Sequence, residues 1–224
     1  MKKTFLLIFI SVALLELVGV VLDNASIKMF AKPFLVLSLI SYYQYSMEKP
    51  SLVFTTALFF CWVGDVMLMF QERSSIFFML GLAGFLIGHL FFILAYRKAR
   101  TDESDDSLLG TQKARFAFPI ILAGSGLVVT LYPSLGDMKI PVLLYALVIT
   151  IMTLNASFRY GRTSKRSYWL VFIGAFLFMV SDTILALNKF QAPFPHAELY
   201  IMSTYMLAQF AIVEGIVQHS ALTK

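Results

Sequence analysis

Eight apolar stretches, each close to the length a helix needs to cross a lipid bilayer, constrain this chain more than any motif in it. A spanning helix takes about 20 largely apolar residues, because in hydrocarbon every backbone N–H and C=O must find its partner inside the segment. The stretches fall at about 4–22, 33–47, 51–70, 75–96, 116–132, 140–158, 167–187 and 198–219. Of 224 residues 59% are hydrophobic and 14% charged, whereas soluble domains average about 25% charged. The expected fold is all-α: a polytopic membrane protein with eight transmembrane helices, forming a single integral membrane domain over 1–224. The start, Met1-Lys2-Lys3 followed by an apolar run, mimics a secretory signal. Apolar character continues to Leu22 without a small-x-small cleavage pattern, so the segment reads as a retained first helix.

The net charge of +5 would suggest nucleic acid in a soluble protein; here it reports topology. With the N-terminus inside, thirteen Lys and Arg fall on the cytoplasmic side and five on the other, which places both termini in the cytoplasm by the positive-inside rule. No nucleic-acid partner is expected. The basic start suggests a bacterial cytoplasmic (inner) membrane. A single cysteine, Cys61, leaves no thiolate zinc site, and three scattered histidines make no metal-ligand cluster, so neither metal nor cofactor is expected.

One long polar connection, about 97–115, carries Asp102, Glu103, Asp105 and Asp106 and divides the chain into two sets of four helices. Four spans return a chain to its starting side, so the second set would repeat the first in parallel. Lys32-Pro33 against Lys139-Ile140-Pro141 and Gly64-Asp65 against Ser181-Asp182 are the correspondences that suggest such a repeat.

An ionisable side chain within a span costs about 2.5–3.5 kcal/mol even on the lenient insertion scale, so each needs a partner, a wet cavity or a function. The candidates are Glu16, Asp65, His89, Asp182 and Glu214, with Lys32 at the outer start of the second helix. Asp65 and Asp182 each lie five residues before the expected outer end of helices running in the same direction. A shared depth permits them to face one cavity, where two carboxylates supply an acid and a base. The plainer alternative neutralises them separately, Asp65 by Lys32 and Asp182 by the hydroxyl of Ser181 or Thr183. His89 follows a face of small residues, Gly81, Gly84 and Gly88, that lets a neighbouring helix approach; it reads either as a relay beside a carboxylate or as a packing histidine. Tyr205 and Gln209, at i and i+4, share a face suited to a polar head group or to interhelix hydrogen bonds. Glu214 lies close enough to a helix end to snorkel. No nucleophile elbow, phosphate loop, dinucleotide fingerprint or zinc-protease helix is present.

Several stretches together resemble the lysoplasmalogenase family of integral membrane proteins, often called YhhN-like. They are Lys32-Pro33, Gly64-Asp65, Gly81-Leu82 with Phe85-Leu86-x-Gly-His89, Gly174-Ala175-x-Leu177-Phe178-x-x-Ser181-Asp182-x-x-Leu185-Ala186, and Tyr205-x-x-Ala208-Gln209. The resemblance spans nearly the whole chain, and its seventh-helix stretch is the most specific part. Where a tyrosine is expected shortly after the histidine, this chain has Leu90-Phe91-Phe92.

The resemblance implies a metal-independent hydrolase that cleaves the vinyl ether of lysoplasmalogens to a fatty aldehyde and glycerophosphoethanolamine or glycerophosphocholine. Asp65 and Asp182 match the family's suspected catalytic aspartates. With His89 assisting, they make up the expected catalytic set; Lys32, Ser181, Tyr205 and Gln209 are the expected contacts to a lysophospholipid substrate. The sequence sets neither oligomeric state nor head-group preference. The main rival is a transporter or flippase for a lipid or small solute, which also uses intramembrane carboxylates; a scaffold recruiting partners through the charged loop is a second.

Overall fold

The computed structural model describes residues 1–101 and 108–220. Asp102, Glu103, Asp105, Asp106 and Lys224 therefore lie outside the described residues. Eight α-helices make up the described chain, which contains no strand: α1 Lys2–Val21, α2 Ala25–Ser46, α3 Leu52–Leu68, α4 Ser75–Lys98, α5 Gly110–Leu131, α6 Lys139–Ser157, α7 Lys165–Phe190 and α8 Ala197–Ser220. Seven are long and apolar enough to cross a bilayer, and α3, with 17 residues, is shorter. Leu7, Phe30, Phe118, Val129 and Leu207 are each more than half exposed, a pattern that suits a hydrocarbon solvent and not water. The chain divides into two compact units, Met1–Ala95 and Tyr96–Lys224.

In the first unit, α2 begins at Ala25 and not at 33. Asn24 caps it by accepting a hydrogen bond from the Ile27 N–H at 3.2 Å, which satisfies one of the orphan donors of a helix start. Lys32 and Pro33 consequently lie inside α2, and the expectation that they open it is corrected. Proline inside a helix costs about 3 kcal/mol in water, yet spanning helices tolerate it where neighbours satisfy the freed groups. Trp62 Nε1 of α3 donates to the Pro33 carbonyl at 3.0 Å, a tie between the two helices beside the proline; the carbonyl that the proline itself leaves without its helical donor is four residues back, at Met29. The cation at the start of α2 is Lys28, paired with Asp23 at 3.2 Å.

Glycines set the approach of α3 and α4. A Cβ on Gly84 would lie 2.9 Å from the Gly64 nitrogen and 3.1 Å from the Phe60 carbonyl oxygen, and one on Gly88 would meet Cys61 Sγ at 2.9 Å. The small-residue face expected on the fourth helix is thus the face that packs on α3, close enough that only hydrogen fits.

In the second unit, α5 starts at Gly110, earlier than expected, with the Leu109 N–H donating to Gln112 Oε1 at 2.9 Å; the connection after α4 is correspondingly shorter than 97–115. Helices α7 and α8 pack through Gly174 and Gly215, whose added Cβ atoms would meet Ala208 O at 2.9 Å and Val171 N at 3.0 Å. Beside this seam Arg159 is completely buried. Its Nε and Nη2 donate to Ala99 O at 3.2 and 3.1 Å, and Nη2 also donates to Ser167 Oγ at 3.0 Å, which in turn donates to Gly215 O at 2.7 Å. Burial pushes the guanidinium down to about 10, with the nearby charge of Arg100 adding to the fall and Tyr96 opposing it. Since that is still far above neutral, the buried group is a cation whose acceptors must be supplied by the fold. Arg159→Leu is expected to lower stability by roughly 2–4 kcal/mol, because the carbonyl and hydroxyl acceptors lose their donor and a void opens. Thermal melting in detergent measures it, and Arg159→Lys, which lacks the planar fork, should recover less than half.

Candidate active site

Asp182 lies on α7 and is half-buried. Its Oδ2 accepts a hydrogen bond from the Tyr145 hydroxyl of α6 at 2.5 Å. The two side chains line a small cavity of about 30 Å³ between α5, α6 and α7, whose other walls include Gly124, Leu127, Thr150 and Thr183. That volume is enough for a water molecule. Thr150 and Thr183 donate to Ala146 O and Met179 O of their own helices at 2.6 and 2.8 Å. Each hydroxyl has one hydrogen, so what it keeps for the cavity is acceptor capacity.

Neither neighbour expected to neutralise Asp182 does so. Thr183 donates within its own helix, and Ser181 donates to Ile201 O of α8 at 3.0 Å. Successive residues on a helix diverge by about 100°, so Asp182 meets α6 while Ser181 meets α8. Tyr145 was not among the expected residues. Its signal in the sequence was a phenol in an otherwise apolar span, a group whose hydroxyl requires a partner when buried.

Tyr205 and Gln209 are both buried, and Gln209 Nε2 donates to the Tyr205 hydroxyl at 3.2 Å. Tyr205 stands edge-on to Phe178 of α7 at 5.3 Å between centroids. Together with Ser181 they occupy the α7–α8 seam, and none of the three is among the residues lining the Asp182 cavity.

Of the remaining candidates, Glu214 lies on α8, where its Oε1 accepts from Gln218 Nε2, and the others belong to the first unit. Asp65 on α3 is 2% exposed, and His89 on α4 and Glu16 on α1 are completely buried. Asp65 follows Gly64, whose nitrogen would lie 2.9 Å from a Cβ added to Gly84 of α4. Lys32 is half-buried within α2. The equal spacing of the two aspartates from their helix ends is corrected: Asp65 lies three residues before the end of α3 and Asp182 eight before the end of α7. Helix α3 stops early in a series of turns in which Met69 N–H bonds to Asp65 O and Phe70 N–H to Met67 O, while α7 runs on to a Gln191 cap. Among the described residues no group of three or more His, Cys, Asp or Glu stands together as metal ligands would.

The sequence is 31% identical over 160 residues to lysoplasmalogenase TMEM86B of Sus scrofa, covering 71% of this chain and 61% of that protein. It is 31% identical over 179 residues to lysoplasmalogenase TMEM86A of Homo sapiens, covering 75% and 68%, and 31% identical over 150 residues to human lysoplasmalogenase TMEM86B, covering 67% and 57%. The matched region spans roughly three fifths of the length of these relatives. No solved structure matches the chain. The YhhN family profile matches residues 27–216, which include Asp65, His89, Tyr145, Asp182 and Gln209; the chain belongs to the YhhN family.

Proposed function

We propose that this protein is a lysoplasmalogenase, hydrolysing the vinyl ether of a lysoplasmalogen by carboxylate acid–base catalysis. The observation that carries the reading is Asp182 in an apolar helical unit, held by Tyr145 beside a cavity of water size. Membership of the family and the names of its relatives support the same chemistry. Because those relatives are lysoplasmalogenases, a carrier is the less favoured reading.

Hydrolysis of a vinyl ether begins with transfer of a proton to the outer alkene carbon. The ether oxygen then shares the resulting positive charge as an oxocarbenium ion, water adds to the carbon bonded to that oxygen, and the hemiacetal collapses to aldehyde and alcohol. The sequence needs an acid, a negative charge beside the cation and a base for water, demands like those met by carboxylate pairs in glycoside hydrolysis. In this proposal Asp65 and Asp182 fill those roles, His89 assists, and Tyr145 fixes the Asp182 carboxylate in one orientation. Lys32, Ser181, Tyr205 and Gln209 are proposed to serve the head group, with Ser181 also tying α7 to α8 through Ile201 O and Gln209 holding the Tyr205 hydroxyl.

The proposed topology has eight spans with both termini in the cytoplasm, and two parallel four-helix sets. Helix α3 is about 25 Å long at 1.5 Å per residue, a few ångströms less than the hydrocarbon thickness of about 30 Å. Local thinning or its flanking turns make up such a difference at modest cost.

The test is release of fatty aldehyde from lysoplasmenylethanolamine by purified protein in detergent, with EDTA present and an ester-linked lysophospholipid as control. Aldehyde from the vinyl ether alone, undiminished by EDTA, is the expected outcome; well-folded protein that releases none overturns the proposal. Tyr145→Phe is expected to lower kcat about 10–100-fold with KM little changed, which corresponds to the loss of a hydrogen bond to a charged group. An effect on KM alone would assign Tyr145 to substrate binding.

A further inference from the structure

An acid and a base are needed for vinyl ether hydrolysis, and the surroundings of Asp182 bear on which of the two it is. Its cavity takes Tyr145 and Thr150 from α6 and Thr183 from α7, while the rest of the wall, Leu127, Ile149 and Met179 among it, is apolar. Three of these side chains carry a hydrogen on oxygen, and each hydrogen is already committed. Tyr145 donates to Asp182 Oδ2 at 2.5 Å, Thr150 to Ala146 O at 2.6 Å and Thr183 to Met179 O at 2.8 Å. A phenol holds its proton more firmly than a carboxyl group does, so the Tyr145 hydroxyl is the donor and the Asp182 carboxylate the acceptor. Backbone N–H groups in helix interiors are taken up by their own i−4 carbonyls. The polar part of the wall therefore presents oxygens that accept.

A cavity of about 30 Å³ with such a wall selects a small molecule that donates. Water fits in size and chemistry. With its hydrogens turned to the oxygens of the wall, its lone pairs face away from them, which is the orientation of a nucleophile. Gly124 of α5 closes over Thr150 so tightly that an added Cβ would collide with the threonine hydroxyl, which leaves that oxygen little freedom to turn. The acid and the base also differ in reach. The acid must touch the outer alkene carbon, because the proton passes directly to it, whereas the base acts one molecule away, through the water it deprotonates. Space for a single water beside Asp182 suits the second duty, and an alkene with its flanking methylenes is too large for it.

We propose, resting on the lysoplasmalogenase reading above, that Asp182 is the base that activates water in this cavity, that Asp65 is the acid, and that Thr150 and Thr183 are positioning residues for the water. The Asp65 proton adds to the outer alkene carbon; the π electrons form the new C–H bond, and a lone pair of the ether oxygen forms the C=O⁺ bond. Water adds to the carbon of that bond while Asp182 takes one of its hydrogens, which gives the hemiacetal. When the hemiacetal collapses, the carbon–oxygen bond to glycerol breaks and Asp182 returns its proton to the departing oxygen. The proton released by the hemiacetal hydroxyl restores Asp65, and both aspartates end as they began.

The two duties separate in deuterium oxide. An oxocarbenium ion captured by water goes on to aldehyde. One that is not captured rotates about its new single bond and loses a proton from the outer carbon, so the recovered alkene carries deuterium there or has lost its double-bond geometry. The test incubates lysoplasmenylethanolamine with the full chain in neutral detergent and analyses aldehyde and recovered substrate by mass spectrometry and proton NMR. Asp182→Asn should lose aldehyde release yet return altered alkene about tenfold or more faster than it hydrolyses, whereas Asp65→Asn should do neither. Thr150→Val and Thr183→Val keep the shape and lose the acceptor. Each should raise the ratio of return to hydrolysis about fivefold, the effect of one hydrogen bond, and Thr150→Ser and Thr183→Ser should restore it. Threonines that only support the fold would lower both rates together. Should Asp182→Asn fail to fold, the valine variants decide. Hydrolysis and return both lost in folded Asp182→Asn, return of altered alkene by Asp65→Asn, or an unchanged ratio in both valine variants overturns the proposal. If the unchanged chain releases aldehyde, such a result overturns this assignment alone; if it releases none, the lysoplasmalogenase reading falls and the assignment with it.

Discussion

Asp182→Asn and Asp65→Asn are each expected to lower aldehyde release by about 10²–10⁴-fold, the range that general acid–base catalysis contributes. Asparagine keeps the shape of the side chain, and its Oδ1 can still accept from Tyr145, so Asp182→Asn removes ionisation while leaving the α6–α7 contact in place. The loss should appear in kcat, because the proton transfer and the charge next to the oxocarbenium ion belong to the transition state and not to substrate binding. Melting temperature and elution as a single species provide the folding control. Should either variant retain turnover within a few-fold of the unchanged chain, that aspartate has no place in the chemistry. The double variant should fall little further than the worse single one, since groups that act as a unit are not additive.

Gly84→Leu is expected to cost about 3 kcal/mol or more and to abolish activity with it. The space around Gly84 is filled by backbone: Gly64 N at 2.9 Å, Gly64 Cα at 3.1 Å and Phe60 O at 3.1 Å from an added Cβ. Backbone atoms cannot rotate away as the end of a flexible side chain can, so α4 must lift off α3. Asp65 is covalently next to Gly64 and moves with it. Gly126 on α5 has nothing within 4 Å of an added Cβ, and Gly126→Leu should melt within a few degrees of the unchanged chain. Equal melting temperatures for the Gly84 and Gly126 variants would show that α3 and α4 do not approach as described.

Both predictions separate what was legible along the chain from what was not. The aspartates, His89 and the glycine face of α4 stood out because an ionisable group or a run of small residues is conspicuous in hydrocarbon, whatever surrounds it. Helix ends were less legible. Pro33 signalled a start on the rules for helices in water, but α2 carries it in its interior, with its carbonyl occupied by Trp62 of the neighbouring helix. The same error in the ends of α3 and α7 produced an equal spacing of the two aspartates from their helix ends that the helices do not have. Arg159 was counted only as a charge that sets orientation, whereas the fold buries it completely.

Hydrophobic length and sparse charge by themselves determined an all-helical chain built for lipid, and the embedded carboxylates marked where chemistry would be sought, because those inferences depend on solvation energies summed over single segments. Only the tertiary structure decided who meets whom: Tyr145 and not Ser181 or Thr183 on Asp182, and Ser181 on α8. Partners 37 or 61 residues apart, as in the Tyr145–Asp182 and Thr101–Arg162 pairs, are chosen by helix rotation and packing. A change of one residue in a helix boundary rotates every later side chain by about 100°, so local sequence does not set such contacts.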